Sequence, residues 1–208
     1  MSPSETDHGT RGGRGDDGDV DRRGVHGAPR DRVVVHGVRE LCRTRIFRVT
    51  AESVELPSGT RQELSVVRHA GAVAVAAVDD DGRMVLVRQY RHPAGEWLEE
   101  VVAGRIEDGE EPLLAARREL EEEAGLRARS WHLVREFFPA PGFCSERMTL
   151  FVARDLELAG DDRRPPDPDE EIEVVRRSPA DVLATSRDAK TLIAASFVAS
   201  RDVDATSF

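Results

Sequence analysis

Apolar and polar positions along the chain change period several times, and each change predicts an element. From Arg39 onward, short alternating runs at 46–49, 53–56 and 63–67 are separated by a polar break and by the turn Pro57-Ser58-Gly59-Thr60. They predict three short strands in a small antiparallel sheet. Two continuous apolar runs, 72–78 and 84–87, flank Asp79-Asp80-Asp81-Gly82, which predicts a hairpin buried on both faces. A loop follows Arg88-Gln89-Tyr90-Arg91, then a further strand-like run at 97–103. Over 111–124 the period lengthens: Leu113, Ala116, Leu120 and Ala124 recur at steps of three and four, which predicts an amphipathic helix. Pro112 suits its first turn and Gly125 suits its stop. Strands are predicted at 131–138 and 148–152, joined by a Pro/Gly loop. After a Pro/Asp-rich connector at 161–171 comes another at 172–175. Ser178 and Pro179 read as the cap and first residue of a helix, and a last helix covers about 191–200. This order of elements implies an α+β fold with helices layered on a sheet.

Composition narrows the class. The 208 residues carry a net charge of -10 and suit one domain with a small appendage. An acidic chain is a poor match for polymeric nucleic acid, whose readers concentrate Lys and Arg on one face. No apolar run approaches the roughly 20 positions of a membrane span, and no basic-then-apolar leader opens the chain. Cys42 and Cys144 lie far apart with no zinc-like spacing, which points to a reducing cytoplasm. Residues 1–30 are Gly-rich with almost no large apolar side chain, so a disordered tail is expected; its aspartates argue against an Arg-Gly-Gly arm that grips phosphates.

The negative charge is not evenly spread. From Arg105 to Glu123 there are eight acidic residues against three arginines, a local balance of -5, half of the total. At roughly 100° per residue with Leu113 at zero, Glu119, Glu122 and Glu123 fall between about 180° and 280° and share one helix face, whereas Glu121 points elsewhere. Carboxylates at such spacing repel one another, so something should compensate them. A divalent cation would, because Mg²⁺ and Mn²⁺ take hard oxygen ligands. The plainer alternative is a solvated helix with Arg117 and Arg118 as counterions.

The frame around these glutamates decides between the two. Gly104, then five residues, Glu110, then seven, then Arg118-Glu119-Leu120-Glu121-Glu122-Glu123-Ala124-Gly125-Leu126 matches the Nudix box at every fixed position. The chain therefore resembles the Nudix hydrolase superfamily. Gly104 is expected to let the chain turn sharply out of a strand, Arg118 to orient the carboxylates through its planar fork, and Gly125 to cap the helix. Further likeness runs from about 39 to 199. Leu56-Pro57-Ser58-Gly59, Arg88-Gln89-Tyr90-Arg91, Pro141-Gly142-Phe143 with Glu146, and the acidic connector 166–174 resemble the ADP-ribose pyrophosphatase branch. Two departures stand out: Val102 replaces the usual proline before the box, and Cys144-Ser145-Glu146 stands where Ser-Asp-Glu is common.

That resemblance implies an α/β/α sandwich with a mixed sheet over 71–208, preceded by a small antiparallel sheet, 31–70, through which the chain forms a homodimer. It implies Mg²⁺, with Mn²⁺ as a substitute, held by Glu119, Glu123, the Ala103 carbonyl and additionally Glu122. The substrate is a small nucleotide, with ADP-ribose first, cleaved by water to AMP and ribose 5-phosphate. Arg88 and Arg91 are candidates for phosphate or the terminal ribose, Glu100 for the nucleoside end, and Phe143 and Glu146 for the substrate loop. Arg118 and Glu122 complete the catalytic set, and Glu170 or Glu171 is the candidate general base. Because the box addresses only the pyrophosphate, GDP-mannose or a damaged nucleoside triphosphate remains an alternative substrate. A non-catalytic nucleotide sensor is the remaining class, disfavoured because every box glutamate is present.

Overall fold

The structure is a computed structural model, and it describes residues 32–160, 163–164 and 171–200. The expected tail at 1–30 and the candidate base Glu170 lie outside the described residues. Strands β1 (Val34–Arg43), β2 (Phe47–Glu55) and β3 (Arg61–His69) form a separate antiparallel sheet in chain order. Three strands were expected there, but they are not the three that alternation marks. The runs at 46–49 and 53–56 are one strand, and the strand before them escapes the pattern.

Both differences have a physical cause. The polar break, Thr50-Ala51-Glu52, is buried. The Glu52 carboxylate accepts from the Thr50 hydroxyl at 2.6 Å and from Arg68 Nε at 2.8 Å on the paired strand. A buried charge is tolerable when it is paired and hydrogen-bonded. Burial pushes the Glu52 carboxyl up, and the bonds from Arg68 and Thr50 more than offset this, leaving it below the usual range. β1 is exposed at every position, so nothing selects an alternating pattern.

The second sheet is mixed and has the order β10-β5-β4-β9-β8. Its strands are β4 (Ala72–Val78), β5 (Met84–Arg91), β6 (Glu96–Glu100), β7 (Val102–Arg105), β8 (Leu126–Phe137), β9 (Met148–Leu158) and β10 (Glu173–Arg177). The β4–β5 hairpin forms as expected, and β4 is buried at all seven positions. Its residues alternate between two cores. Ala72, Ala74, Ala76 and Val78 pack with Val182, Ala194 and Ala195 of helices α2 (Pro179–Thr185) and α3 (Ala189–Ala199). Val73, Val75 and Ala77 pack with Ala115, Ala116 and Leu120 of helix α1 (Pro112–Ala124). The fold is therefore α+β with helices on both faces of the mixed sheet.

β4 and β5 pair only at Ala77–Val85 and Val78–Met84 and then diverge. β6 and β7 fill the gap, β6 against β5 and β7 against β4, with Val101 between them. This places Ala103 and Gly104 inside the sheet beside α1. Gly125 ends α1 in the left-handed region (φ 65°), as its position predicts. Ser178 caps α2 by accepting from the Asp181 N–H, also as expected, and α3, capped by Asp188, begins two residues before the predicted start. β8 begins earlier and β9 runs further than the apolar runs suggest, because their outer ends pair with each other. No described helix is long and apolar enough to cross a membrane.

Candidate active site

The site grows from the contact of α1 with β7. Gly104 does not turn the chain out of a strand; it lies within β7, and its need for a missing side chain is steric. A Cβ there would stand 1.9 Å from Oε1 of Glu119. The glycine thus admits a glutamate carboxylate against the strand backbone. One turn on, the Glu123 carboxylate accepts from the Ala103 N–H at 3.2 Å. Both glutamates are buried, and Glu122 is half-buried.

Arg118 holds this face together. Its Nη1 donates to Glu119 at 2.7 Å and to Glu122 at 3.0 Å. Nε and Nη2 take the two oxygens of Glu110 at 3.0 Å each, and Nη2 also donates to the Arg105 carbonyl at 2.9 Å. Hydrogen bonds that it donates to Glu110 raise the guanidinium further above its ordinary value against the cost of burial, with Glu119 and Glu122 adding to the rise. Arg118 in turn holds the Glu110 carboxyl below the usual range. Glu121, on the other side of the helix, is gripped by Arg127 at 2.8 and 3.0 Å. Arg117 stands away from this network, over the ring of Trp131.

The donors available at this edge are all oxygens: three carboxylates and the Ala103 carbonyl. Such a set fits a hard divalent cation in kind. Among the described residues no three acidic, His or Cys side chains are grouped so that they could hold a metal ion as they stand. Arg118 draws Glu119 and Glu122 to itself, and Glu123 leans on the Ala103 N–H. Loading this edge therefore calls for side-chain adjustment, for which Gly104 leaves room.

Ala103 and Gly104 also border a cavity of about 300 Å³ that reaches Arg91, Glu146 and Lys190. Arg91 meets Glu100 in a two-pronged pair, both bonds 2.8 Å. Its guanidinium is raised first by that hydrogen bond, then lowered by burial, with the charges of Glu100, Glu123 and Asp188 adding to the rise; the carboxylate helix is thus close enough to act on it. Glu100 is 2% exposed and also receives the Lys190 ammonium. Burial pushes its carboxyl up, but Arg91 and Lys190 together bring it below the usual range.

Of the other expected residues, Glu146 shares this cavity and the rest are not among those that line it. Arg88 lies 4.7 Å over the ring of Trp97 and 3.3 Å from Glu173. Glu146 lines the cavity with His69 Nδ1 at 3.7 Å. Phe143 is exposed on its loop, which β3 pins through the Val67 N–H to the Phe143 carbonyl at 2.7 Å. Glu171 is exposed just before β10. Sequence reasoning gave no role to Glu110, whose fixed place in the box was the available signal. It also passed over Asp188, Lys190 and Thr191, for which the sequence carried none.

Comparison with known proteins agrees with this geometry. The model of the NUDIX domain matches residues 67–198. An ADP-ribose pyrophosphatase of Bacillus subtilis (strain 168) is 38% identical over 159 residues, 74% of this chain and 85% of that relative. Another, from Mycobacterium tuberculosis, is 41% identical over 116 residues, 55% of this chain and 56% of that relative. A crystal structure of an ADP compounds hydrolase superposes with a TM-score of 0.71 at 26% identity, covering 83% of this chain and 95% of the other. With the glutamates of α1, the Arg118 network and the close-packed Gly104 all on the matched segment, the chain belongs to the NUDIX family.

Proposed function

We propose that the protein is a divalent-metal-dependent pyrophosphohydrolase that cleaves ADP-ribose, or a closely related nucleoside diphosphate sugar, to AMP and ribose 5-phosphate. The observation that carries this reading is the oxygen-only edge of α1 at Ala103–Gly104, bordering a cavity with Arg91, Arg105 and Lys190 in its wall. The substrate preference leans on the similar proteins, two of which are ADP-ribose pyrophosphatases. Glu119, Glu122, Glu123 and the Ala103 carbonyl would hold Mg²⁺ or Mn²⁺. Bound there, such an ion offsets the charge of the pyrophosphate oxygens and lowers the pKa of a water.

The chain's own groups supply the rest. Arg118 orients Glu119 and Glu122 through its hydrogen bonds to both. Arg91 and Arg88 are the groups for the phosphate or sugar end, Glu146 and Phe143 those of the loop facing it. Water adds to one phosphorus, the bridging P–O bond breaks, and Glu170 or Glu171 takes the proton. Two chains pair through the N-terminal sheet, where β1 exposes Val34, Val35, Val38 and Leu41. The free thiols Cys42 and Cys144 fit a cytoplasmic location.

The test is a panel of ADP-ribose, GDP-mannose and nucleoside triphosphates with Mg²⁺ and Mn²⁺, read as phosphate after coupling to a phosphatase. ADP-ribose should be turned over fastest and only with metal. Equal or faster cleavage of GDP-mannose would reject the substrate; no cleavage of any of them would reject the reaction.

A further inference from the structure

The start of α3 forms one wall of the cavity. Asp188 accepts from the Thr191 N–H at 3.0 Å and from its hydroxyl at 2.6 Å, and that hydroxyl accepts from the buried Val101 N–H at 2.9 Å. This ties the first turn of α3 to the junction of β6 and β7. Within it sits Lys190, the one lysine of the chain. Its ammonium bridges Glu100 and Asp188, at 2.5 and 3.0 Å, and its side chain keeps 13% exposure. An ammonium has three N–H donors, so two carboxylate partners leave capacity for one more acceptor. Since Lys190 lines the cavity, that acceptor belongs to whatever fills it.

The lining says which half of the substrate this is. Arg91, Arg105 and Lys190 supply donors, Glu146 and Asp188 supply acceptors, and none of the residues lining the cavity is aromatic. A purine is ordinarily held first by stacking on an aromatic face, which this lining lacks, and of its two guanidinium groups Arg91 is already taken up by Glu100. Alternating charged donors and acceptors instead suit the hydroxyls and phosphate oxygens of a sugar phosphate. The volume is adequate for one such unit next to Ala103–Gly104, where the pyrophosphate would be cut.

Building on the pyrophosphohydrolase reading, we propose that Lys190 is a substrate-binding residue that holds the sugar-phosphate half, the half released as ribose 5-phosphate. Glu100 and Asp188 fix the ammonium so that its remaining donor meets that half, and the nucleoside half lies elsewhere.

Calorimetric titration with ribose 5-phosphate and with AMP, alongside ADP-ribose kinetics, tests this in the full chain. Lys190→Met should weaken ribose 5-phosphate by about tenfold or more, as loss of a charged hydrogen bond implies. It should raise KM for ADP-ribose, leave kcat within a few-fold, and leave AMP binding unchanged; Lys190→Arg should recover part of the loss. Because Lys190→Met alone takes the shared cation from between two carboxylates, the double variant Lys190→Met with Asp188→Asn, which preserves net charge and the helix cap, carries the test if the single variant melts early. Unchanged ribose 5-phosphate affinity in a cooperatively melting variant, weakening of AMP instead, or no ribose 5-phosphate binding by the unaltered protein would overturn the assignment. Failure of the unaltered protein to hydrolyse ADP-ribose would sink the activity reading alone, and the titration would still decide on Lys190.

Discussion

Gly104→Ala separates a steric role for this glycine from a conformational one. Its backbone φ lies outside the left-handed region, so alanine meets no backbone strain there. The added methyl group would stand 1.9 Å from Glu119 Oε1, and ordinary contact begins at 3.4 Å, so the carboxylate must retreat by about 1.5 Å. Glu119 is a side chain with rotamers to spare, and the helix need not move. The retreat breaks the 2.7 Å bond from Arg118, a charge-assisted bond worth roughly 1.5–3 kcal/mol. Replacing a glycine at a compatible position returns about 0.4–1 kcal/mol by restricting the unfolded chain. The net cost is about 1–2 kcal/mol, a drop in melting temperature of a few degrees for a domain of this size. Activity should suffer far more, since a misplacement of about 1 Å costs on the order of a hundredfold. Thermal melting and Mg²⁺-dependent ADP-ribose hydrolysis measure the two quantities on one sample. Turnover within threefold of the unaltered protein would refute the reasoning; unfolding at room temperature would show that the glycine serves the backbone after all.

Other perturbations address separate parts of the site. Glu123→Gln keeps an acceptor for the Ala103 N–H, so melting should be unchanged while metal-dependent hydrolysis is abolished; near-normal turnover would remove this residue from the metal set. Glu170→Gln and Glu171→Gln, made separately, should lower kcat by about 10²–10⁴ in one case only, with metal affinity retained, and equal small effects in both would dismiss the connector as the source of the base. Val38→Glu on the exposed face of β1 should convert a dimer to a monomer on gel filtration, and elution of the unaltered chain at 23.0 kDa would contradict the dimer. Arg91 and Lys190 hold the Glu100 carboxyl below the usual carboxylate range in the folded chain, so the unfolded chain binds more protons and stability rises with pH in this range. That contribution is complete above pH 4.5 and drains as the pH falls below it. Glu100→Gln should therefore flatten the melting temperature between pH 5 and pH 3, and an equally steep fall would assign the acid sensitivity to other carboxylates.

What the sequence revealed and what it concealed follow from the range of the interactions. Helix α1 was legible to within a residue because its apolar stripe, Pro112 and Gly125 are all local signals. The hairpin of β4 and β5 was legible for the same reason. β1 was not, since a strand exposed on both faces has no face to mark by alternation. β2 was cut in two because Glu52 looks like a solvent position until Arg68, sixteen residues on, is placed across from it. At the site, the glutamates could be assigned to one face by angle alone. That Glu100 is closed off between Arg91 and Lys190 could not be inferred, since the lysine lies ninety residues away and reaches it only when α3 docks on the β6–β7 junction.

The same contacts explain how a helix so rich in like charge can fold before it meets a cation. Arg118 places one guanidinium among Glu110, Glu119 and Glu122, and Arg127 neutralises Glu121, so the repulsion expected of the isolated helix is largely offset within the fold. Glu123 accepts a hydrogen bond from the backbone N–H of Ala103, which orients its carboxylate against β7, and its charge also acts on Arg91. A fully compensated set would have little reason to take up a divalent ion, and an uncompensated one would destabilise the helix. Arg118 and Arg127 together face four carboxylates, Glu110, Glu119, Glu121 and Glu122, so the pairing steadies the helix without balancing its charge, and on the proposed metal assignment that excess is what a divalent cation would meet where α1 faces Ala103.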